Sequence, residues 1–148
     1  MSGVKAQVRY RVPYADTDQM RVVYYGNYLV YFEMARNELL RAMGLPYREI
    51  EARGFALPVL EAHVTYRSAA RYDDELDLSG WVGWVKPVRL RVDCAVHSGG
   101  TLLAEGHTVH ACVDLATLKP ARLPEDLAAR LQEAMPPGSS QAADGSSQ

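Results

Sequence analysis

The fold turns on Tyr14-Ala15-Asp16-Thr17-Asp18-Gln19-Met20-Arg21-Val22-Val23-Tyr24-Tyr25-Gly26-Asn27-Tyr28, a segment that joins two carboxylates to a short apolar run and a helix entry. The residues that follow, Tyr28 to Met43, carry no proline or glycine and end at Gly44 and Pro46, the stop signals of a long helix. The first half of that helix is apolar almost all round, so it is expected to be buried, most simply by a sheet wrapped about it.

Upstream, Lys5 to Val12 alternates with period two, Val8, Tyr10 and Val12 against Gln7, Arg9 and Arg11, which predicts a strand closed by Pro13. Downstream, Tyr47 to Arg53 fits a short helical turn stopped by Gly54. Pro58 to Arg67 resumes the strand pattern, with Val64 and Tyr66 opposite His63, Thr65 and Arg67, and the polar segment from Ser68 to Asp74 reads as a bend. Leu76, Leu78, Gly80, Val82 and Trp84 are expected on one face of a third strand. Leu90, Val92, Cys94 and Val96 are expected on one face of a fourth, and Leu102 to Val113, after the Ser98-Gly99-Gly100 turn, is the fifth. An amphipathic helix from Pro124 to Ala134 follows. The β-α-β-β-β-β order predicts an α+β fold, one helix carried by a curved five-stranded antiparallel sheet.

The chain has 148 residues, 48% of them hydrophobic, which bounds it to one domain with a core of its own. We expect that domain over residues 1–135 and a disordered tail over 136–148, where Gly, Ser, Gln and Pro leave too little apolar surface to order the chain. Lys and Arg number 16 against 18 Asp and Glu, so no overall basic field exists for a nucleic acid or an anionic membrane. No run reaches bilayer length and residues 1–5 lack the apolar core of a signal peptide, which makes a cytoplasmic protein the expectation. Cys94 and Cys112 sit apart, without metal-ligand spacing, and are expected as buried thiols.

Tyr14-x-Asp16-Thr17-Asp18 ahead of Val22-Val23-Tyr24-Tyr25-x-Asn27-Tyr28, in this order of elements, resembles the hotdog-fold acyl-CoA thioesterases of the 4-hydroxybenzoyl-CoA thioesterase and YbgC type. The likeness runs from about Val8 to about Leu127 and includes Ala70-Arg71-Tyr72-Asp73-Asp74 and Lys119-Pro120-x-Arg122-Leu123-Pro124. It implies hydrolysis of an acyl-CoA thioester with no metal or organic cofactor. It also implies that Asp18 is the catalytic carboxylate and that the Tyr25 backbone N–H polarises the thioester carbonyl. The chemistry is sound on its own terms, since the reaction needs an oxygen nucleophile at the carbonyl carbon and positive charge near the carbonyl oxygen. A carboxylate beside a helix entry supplies the first, and N–H groups without an intrahelical partner supply the second. Asp18 either attacks directly or deprotonates a water.

Asp16 reads as structural, holding the loop, because aspartate is enriched in turns and caps for reasons unrelated to chemistry. Two positions depart from the resemblance: Arg21 stands where glycine is usual, and Tyr25 where YbgC-type members often carry histidine. The same resemblance makes Lys86, Arg89 and Arg71 the expected partners of the CoA phosphates, although Val88 replaces a usual hydroxyl. It makes His63 and Tyr66, on the second strand of the neighbouring subunit, walls of the site. A homodimer follows, since the open sheet has an edge to pair, and the family pattern extends it to a homotetramer. Two alternatives keep the same fold: a non-catalytic acyl-CoA or acyl-carrier-protein binding module, and a hotdog hydratase, which wants a histidine between Tyr14 and Asn27 where none occurs.

Overall fold

The computed structural model describes residues 3–136. Strand β1 (Lys5–Arg11) leads through a single 3₁₀ turn (Tyr14–Asp16) into helix α1 (Asn27–Ala42). A short helix α2 (Tyr47–Ala52) and the two-residue strand β2 (Phe55–Ala56) follow. The long strands β3 (Val59–Tyr66), β4 (Glu75–Val85), β5 (Arg89–Ser98) and β6 (Thr101–Ala111) come next, then β7 (Val113–Asp114) and helix α3 (Glu125–Ala134). The five long strands form one antiparallel sheet in the order β1-β4-β5-β6-β3, so β1 and β3 are its edges.

The period-two faces predict which side of the sheet meets the helix. Val8 and Tyr10 of β1 and Val12 just past its end, Leu76, Leu78 and Val82 of β4, and Leu90, Val92, Cys94 and Val96 of β5 join one core cluster with Tyr28, Tyr31, Phe32, Ala35 and Leu39 of α1. Gly80 sits where the helix comes closest: a Cβ there would stand 3.2 Å from the Ala35 carbonyl oxygen, so glycine sets how deeply α1 beds into the sheet. At the far side, Leu127, Leu131 and Ala134 of α3 close the core, tied to the chain start by the Val4 N–H donating to the Ala134 carbonyl at 2.9 Å.

Four expectations need correction or extension. Trp84 is not on the inner face, because a bulge between Val82 and Trp84 reverses the alternation; Trp84 pairs with Arg91 and Val85 takes the inner position opposite Leu90. The fifth strand stops at Ala111, and Val113–Asp114 pairs instead with Phe55–Ala56 in a separate two-stranded piece. The first half of α1 is not buried all round, since Leu29 and Val30 are 42% and 52% exposed. The tail, from residue 137 onward, lies outside the described residues.

Candidate active site

Pro13 ends β1 and the chain turns back across the start of α1, pinned there by Asp16. One carboxylate oxygen of Asp16, Oδ2, accepts hydrogen bonds from the Tyr10 hydroxyl at 2.7 Å and the Tyr31 hydroxyl at 2.8 Å, coupling the loop to β1 and α1 together. Its backbone carbonyl accepts from the Tyr24 N–H and from Nδ2 of Asn27, both at 2.9 Å. Burial first, and then the hydrogen bond to Asp16, push the Tyr10 hydroxyl up to about 12; the same two causes hold Tyr31 well above the usual phenol range. Asp16 is therefore the structural aspartate of the pair, as its place in a turn predicts.

Asp18 heads a tight hairpin. Thr17 bridges Val23, the Asp18 N–H donates to the Val22 carbonyl at 2.9 Å, and the Arg21 N–H donates to the Asp18 carbonyl at 2.9 Å. The turn is closed by Arg21 at φ 65, in the left-handed region where only glycine is free of steric cost. This gives the glycine of the family pattern a backbone cause, and the Arg21 side chain itself is exposed in the single chain. Oδ1 of Asp18 accepts from the Met20 N–H at 2.8 Å, an Asx turn that fixes the carboxylate. Among the described residues its other oxygen has no hydrogen-bond partner.

The second strand of the hairpin runs directly into the helix entry. The N–H groups of Asn27, Tyr28 and Leu29 are taken up by the carbonyls of Tyr24, Tyr25 and Gly26 at 2.9, 3.2 and 3.2 Å. The free donors thus lie one step earlier than the first helical turn: among the described residues, the N–H groups of Tyr25 and Gly26 have no acceptor. Tyr66 reaches over from β3 and donates its hydroxyl to the Tyr25 carbonyl at 3.0 Å, holding the peptide whose other end is the Gly26 N–H. Tyr24 packs on Tyr25 with ring centroids 4.7 Å apart. Its hydroxyl is held above its ordinary value, chiefly by the hydrogen bond to Tyr25, with the nearby Asp18 charge the least of the causes. A side chain at position 26 would strike the Tyr24 ring, its Cβ 2.8 Å from the nearest carbon.

Asp18, Tyr25, Tyr66 and Arg71 therefore gather at one end of the molecule, Arg71 through the bridge it makes with Val22. Three other expected site residues are not brought there within one chain. His63 is on the outer face of β3, opposite the side that carries Val64 and Tyr66, with its ring stacked 5.5 Å from His107. Lys86 and Arg89 lie past the other end of β4, roughly 30 Å away along a strand rising about 3.3 Å per residue, and flank the Trp84 ring at 5.2 and 5.8 Å. Among the described residues no cluster of His, Cys, Asp and Glu is placed to hold a metal ion. The Gly26 donor was not expected, although the lone glycine between the tyrosines and the helix was the available signal for it; Tyr66, expected as a wall from the neighbouring subunit, meets Tyr25 of its own chain.

A long helix bedded on the inner face of a five-stranded antiparallel sheet, with an acidic hairpin at the helix entry, defines a hotdog-fold thioesterase architecture. The model of the thioesterase-like superfamily matches residues 12–131, and the chain belongs to that family. It is similar to the acyl-CoA thioester hydrolase YbgC of Escherichia coli, 32% identical over 83% of this chain and 92% of that protein. It is similar also to the acyl-CoA thioesterase YbgC of Haemophilus influenzae, 33% identical over 80% and 88%. Among solved structures, a hypothetical protein from Thermus thermophilus superposes with a TM-score of 0.81 at 38% identity, covering 86% of this chain and 95% of that one. The DHNA-CoA thioesterase of Staphylococcus aureus superposes with 0.84 at 26% identity, covering 97% and 95%.

Proposed function

We propose that this protein hydrolyses acyl-CoA thioesters to the free acid and CoA, with Asp18 as the catalytic carboxylate and the Tyr25 and Gly26 N–H groups as oxyanion donors. One observation carries the reading: among the described residues, a carboxylate fixed by an Asx turn keeps one oxygen unbonded, and the hairpin that holds it leads into a helix entry with two unbonded backbone donors. The relatives named as acyl-CoA thioesterases supply the substrate class. Asp18 Oδ2 either attacks the thioester carbon, displacing CoA thiolate and leaving an anhydride that water opens, or takes a proton from the water that attacks. In both routes the carbonyl oxygen gains negative charge where the two N–H groups point. The reaction consumes one water, and this reading needs no metal or organic cofactor.

The active unit on this reading is a homodimer. The edge strand β3 leaves Val59, Leu60 and Tyr66 exposed, and Leu29 and Val30 of α1 are exposed on the helix entry. Antiparallel pairing of two β3 edges lays the start of one β3 against the end of the other. It thereby carries the β4–β5 end of the second subunit toward Asp18 of the first, so Lys86 and Arg89, remote within a chain, meet the CoA phosphates across the interface. His63 would border that interface from the outer face. Two such dimers pairing into a homotetramer complete the reading. Cys94 and Cys112 are both buried free thiols, in keeping with work in the reducing cytoplasm.

Thiol release from a panel of acyl-CoAs tests the activity, with solution mass followed on dilution. Hydrolysis that falls as dimers dissociate supports the reading. Tight acyl-CoA binding without thiol release would make the protein a binding module, and a fully active monomer would refute the shared site.

A further inference from the structure

The bulge between Val82 and Trp84 turns a large side chain onto the outer face of the sheet, and that side chain keeps a polar atom unused. Trp84 is 4% exposed, and among the described residues its Nε1–H is the buried side-chain donor without an acceptor. Buried side-chain polar atoms are almost always bonded, because leaving one bare forfeits the hydrogen bond that water supplied. The groups placed around the indole explain why this one goes without. Nζ of Lys86 stands 5.2 Å from the ring centroid and the guanidinium carbon of Arg89 5.8 Å. Arg91 is the cross-strand partner of Trp84 on β5. Charged lysine and arginine are donors only, so none of the three can accept from an indole N–H. The carboxylate two residues further along β5, Asp93, is already held by Nε and Nη2 of Arg91 at 2.9 and 2.8 Å.

A buried N–H set among cations calls for an acceptor that brings negative charge with it. Arg91 has its counter-charge in Asp93, whereas Arg89 makes neither an ion pair nor a hydrogen bond among the described residues. Arg89 is exposed and Lys86 half-buried, so the side chains beside the indole are long, flexible stems whose charged ends reach toward water. Lys86 also lines a hollow of about 350 Å³ between the β4–β5 turn and α3, and an anion therefore meets it from open space. Charge-assisted hydrogen bonds to phosphate are stronger than the hold of an aromatic face on a cation near the surface. An arriving phosphate thus draws Lys86 and Arg89 off the ring and opens the way to the N–H they cover.

We infer that Trp84 is a ligand of the CoA phosphates: its Nε1–H donates to an oxygen of the phosphate that Lys86 and Arg89 draw in. The inference rests on the proposed thioesterase reading and adds to it a binding residue on the outer face of the sheet. Trp84 lies far from Asp18 within the chain, so it acts on substrate binding and not on the chemical step. Substrates that lack the nucleotide have nothing to offer it.

Trp81 and Trp84 are the two tryptophans of the chain, so in Trp81→Phe the indole emission reports on Trp84 alone. Titrating that protein with CoA should change the emission saturably, and pantetheine, which carries no phosphate, should leave it unchanged. With 3′-dephospho-CoA, a retained response assigns the bond to the diphosphate and a lost one to the 3′-phosphate; both support the inference. In steady-state hydrolysis, Trp84→Phe keeps a ring for the cations and removes the donor. It should raise KM for acyl-CoAs about 10-fold, leave kcat within about two-fold, and leave N-acetylcysteamine thioesters unaffected. Emission that ignores CoA, or that answers pantetheine equally, overturns the inference. So does a Trp84→Phe enzyme whose KM is unchanged, or one that loses activity on both kinds of thioester alike, since the indole is then structural only. A wild type that hydrolyses no thioester while CoA still changes the Trp84 emission would sink the thioesterase reading and leave the phosphate ligand standing.

Discussion

Replacing Asp16 by Asn removes a charge while keeping an acceptor oxygen in the same place. Two phenol hydroxyls, Tyr10 at 2.7 Å and Tyr31 at 2.8 Å, converge on one Asp16 oxygen. Bonds to an ionised acceptor contribute about 1.5–3 kcal/mol each and neutral ones about half as much, so the substitution should cost about 2–3 kcal/mol. A loss of that size lowers the thermal midpoint by about 5–10 °C in a domain of this length. Turnover should change less than about 10-fold, because the bonds from Tyr24 and Asn27 that place the Asp18 hairpin end on the Asp16 carbonyl, which the substitution leaves intact. Urea unfolding of Asp16→Asn, Tyr31→Phe and the double variant measures the coupling directly. A fully stable Asp16→Asn protein with turnover reduced by orders of magnitude would refute the division of labour between the two aspartates.

Other substitutions probe separate parts of the account. Arg21→Gly should stabilise the protein by up to about 1 kcal/mol by relieving the left-handed backbone, offset by glycine's extra freedom in the unfolded chain; a loss of stability would show the turn is not strained there. His110 is pushed down to about 4 by burial and by Arg36, so the folded state refuses a proton that the unfolded state accepts near 6.5. Its contribution, about 3 kcal/mol at most, is present above pH 6.5 and lost as pH falls toward 4; unfolding free energy measured across that window should slope less in His110→Gln than in the wild type. Lys86→Ala and Arg89→Ala should raise KM for CoA thioesters about 10-fold and leave N-acetylcysteamine thioesters unaffected, and equal effects on both would remove the phosphate role.

The sheet and its helix were legible because burial there is one-sided: Val8, Tyr10 and Val12, or Leu90, Val92, Cys94 and Val96, alternate without interruption and meet the helix as the pattern predicts. Trp84 was misread because a bulge adds a residue that changes no residue type, so the alternation reads straight through it. Leu29 and Val30 look like core from composition, but their exposure depends on which flank of the helix the sheet covers, a property of packing alone. At the site, a motif can suggest different parts for Asp16 and Asp18, but the two phenols that bond Asp16 come from β1 and α1 and only the fold brings them together.

Asp18 is the residue on which the proposed chemistry depends. Steady-state thiol release by Asp18→Asn, on a protein shown to keep its unfolding midpoint, should fall by about two to four decades in kcat with little change in KM, because the Asx turn needs only the oxygen that Asn retains, while the unbonded oxygen to which the proposal assigns the chemistry is lost. A folded Asp18→Asn enzyme that turns over within a few-fold of the wild type would contradict it.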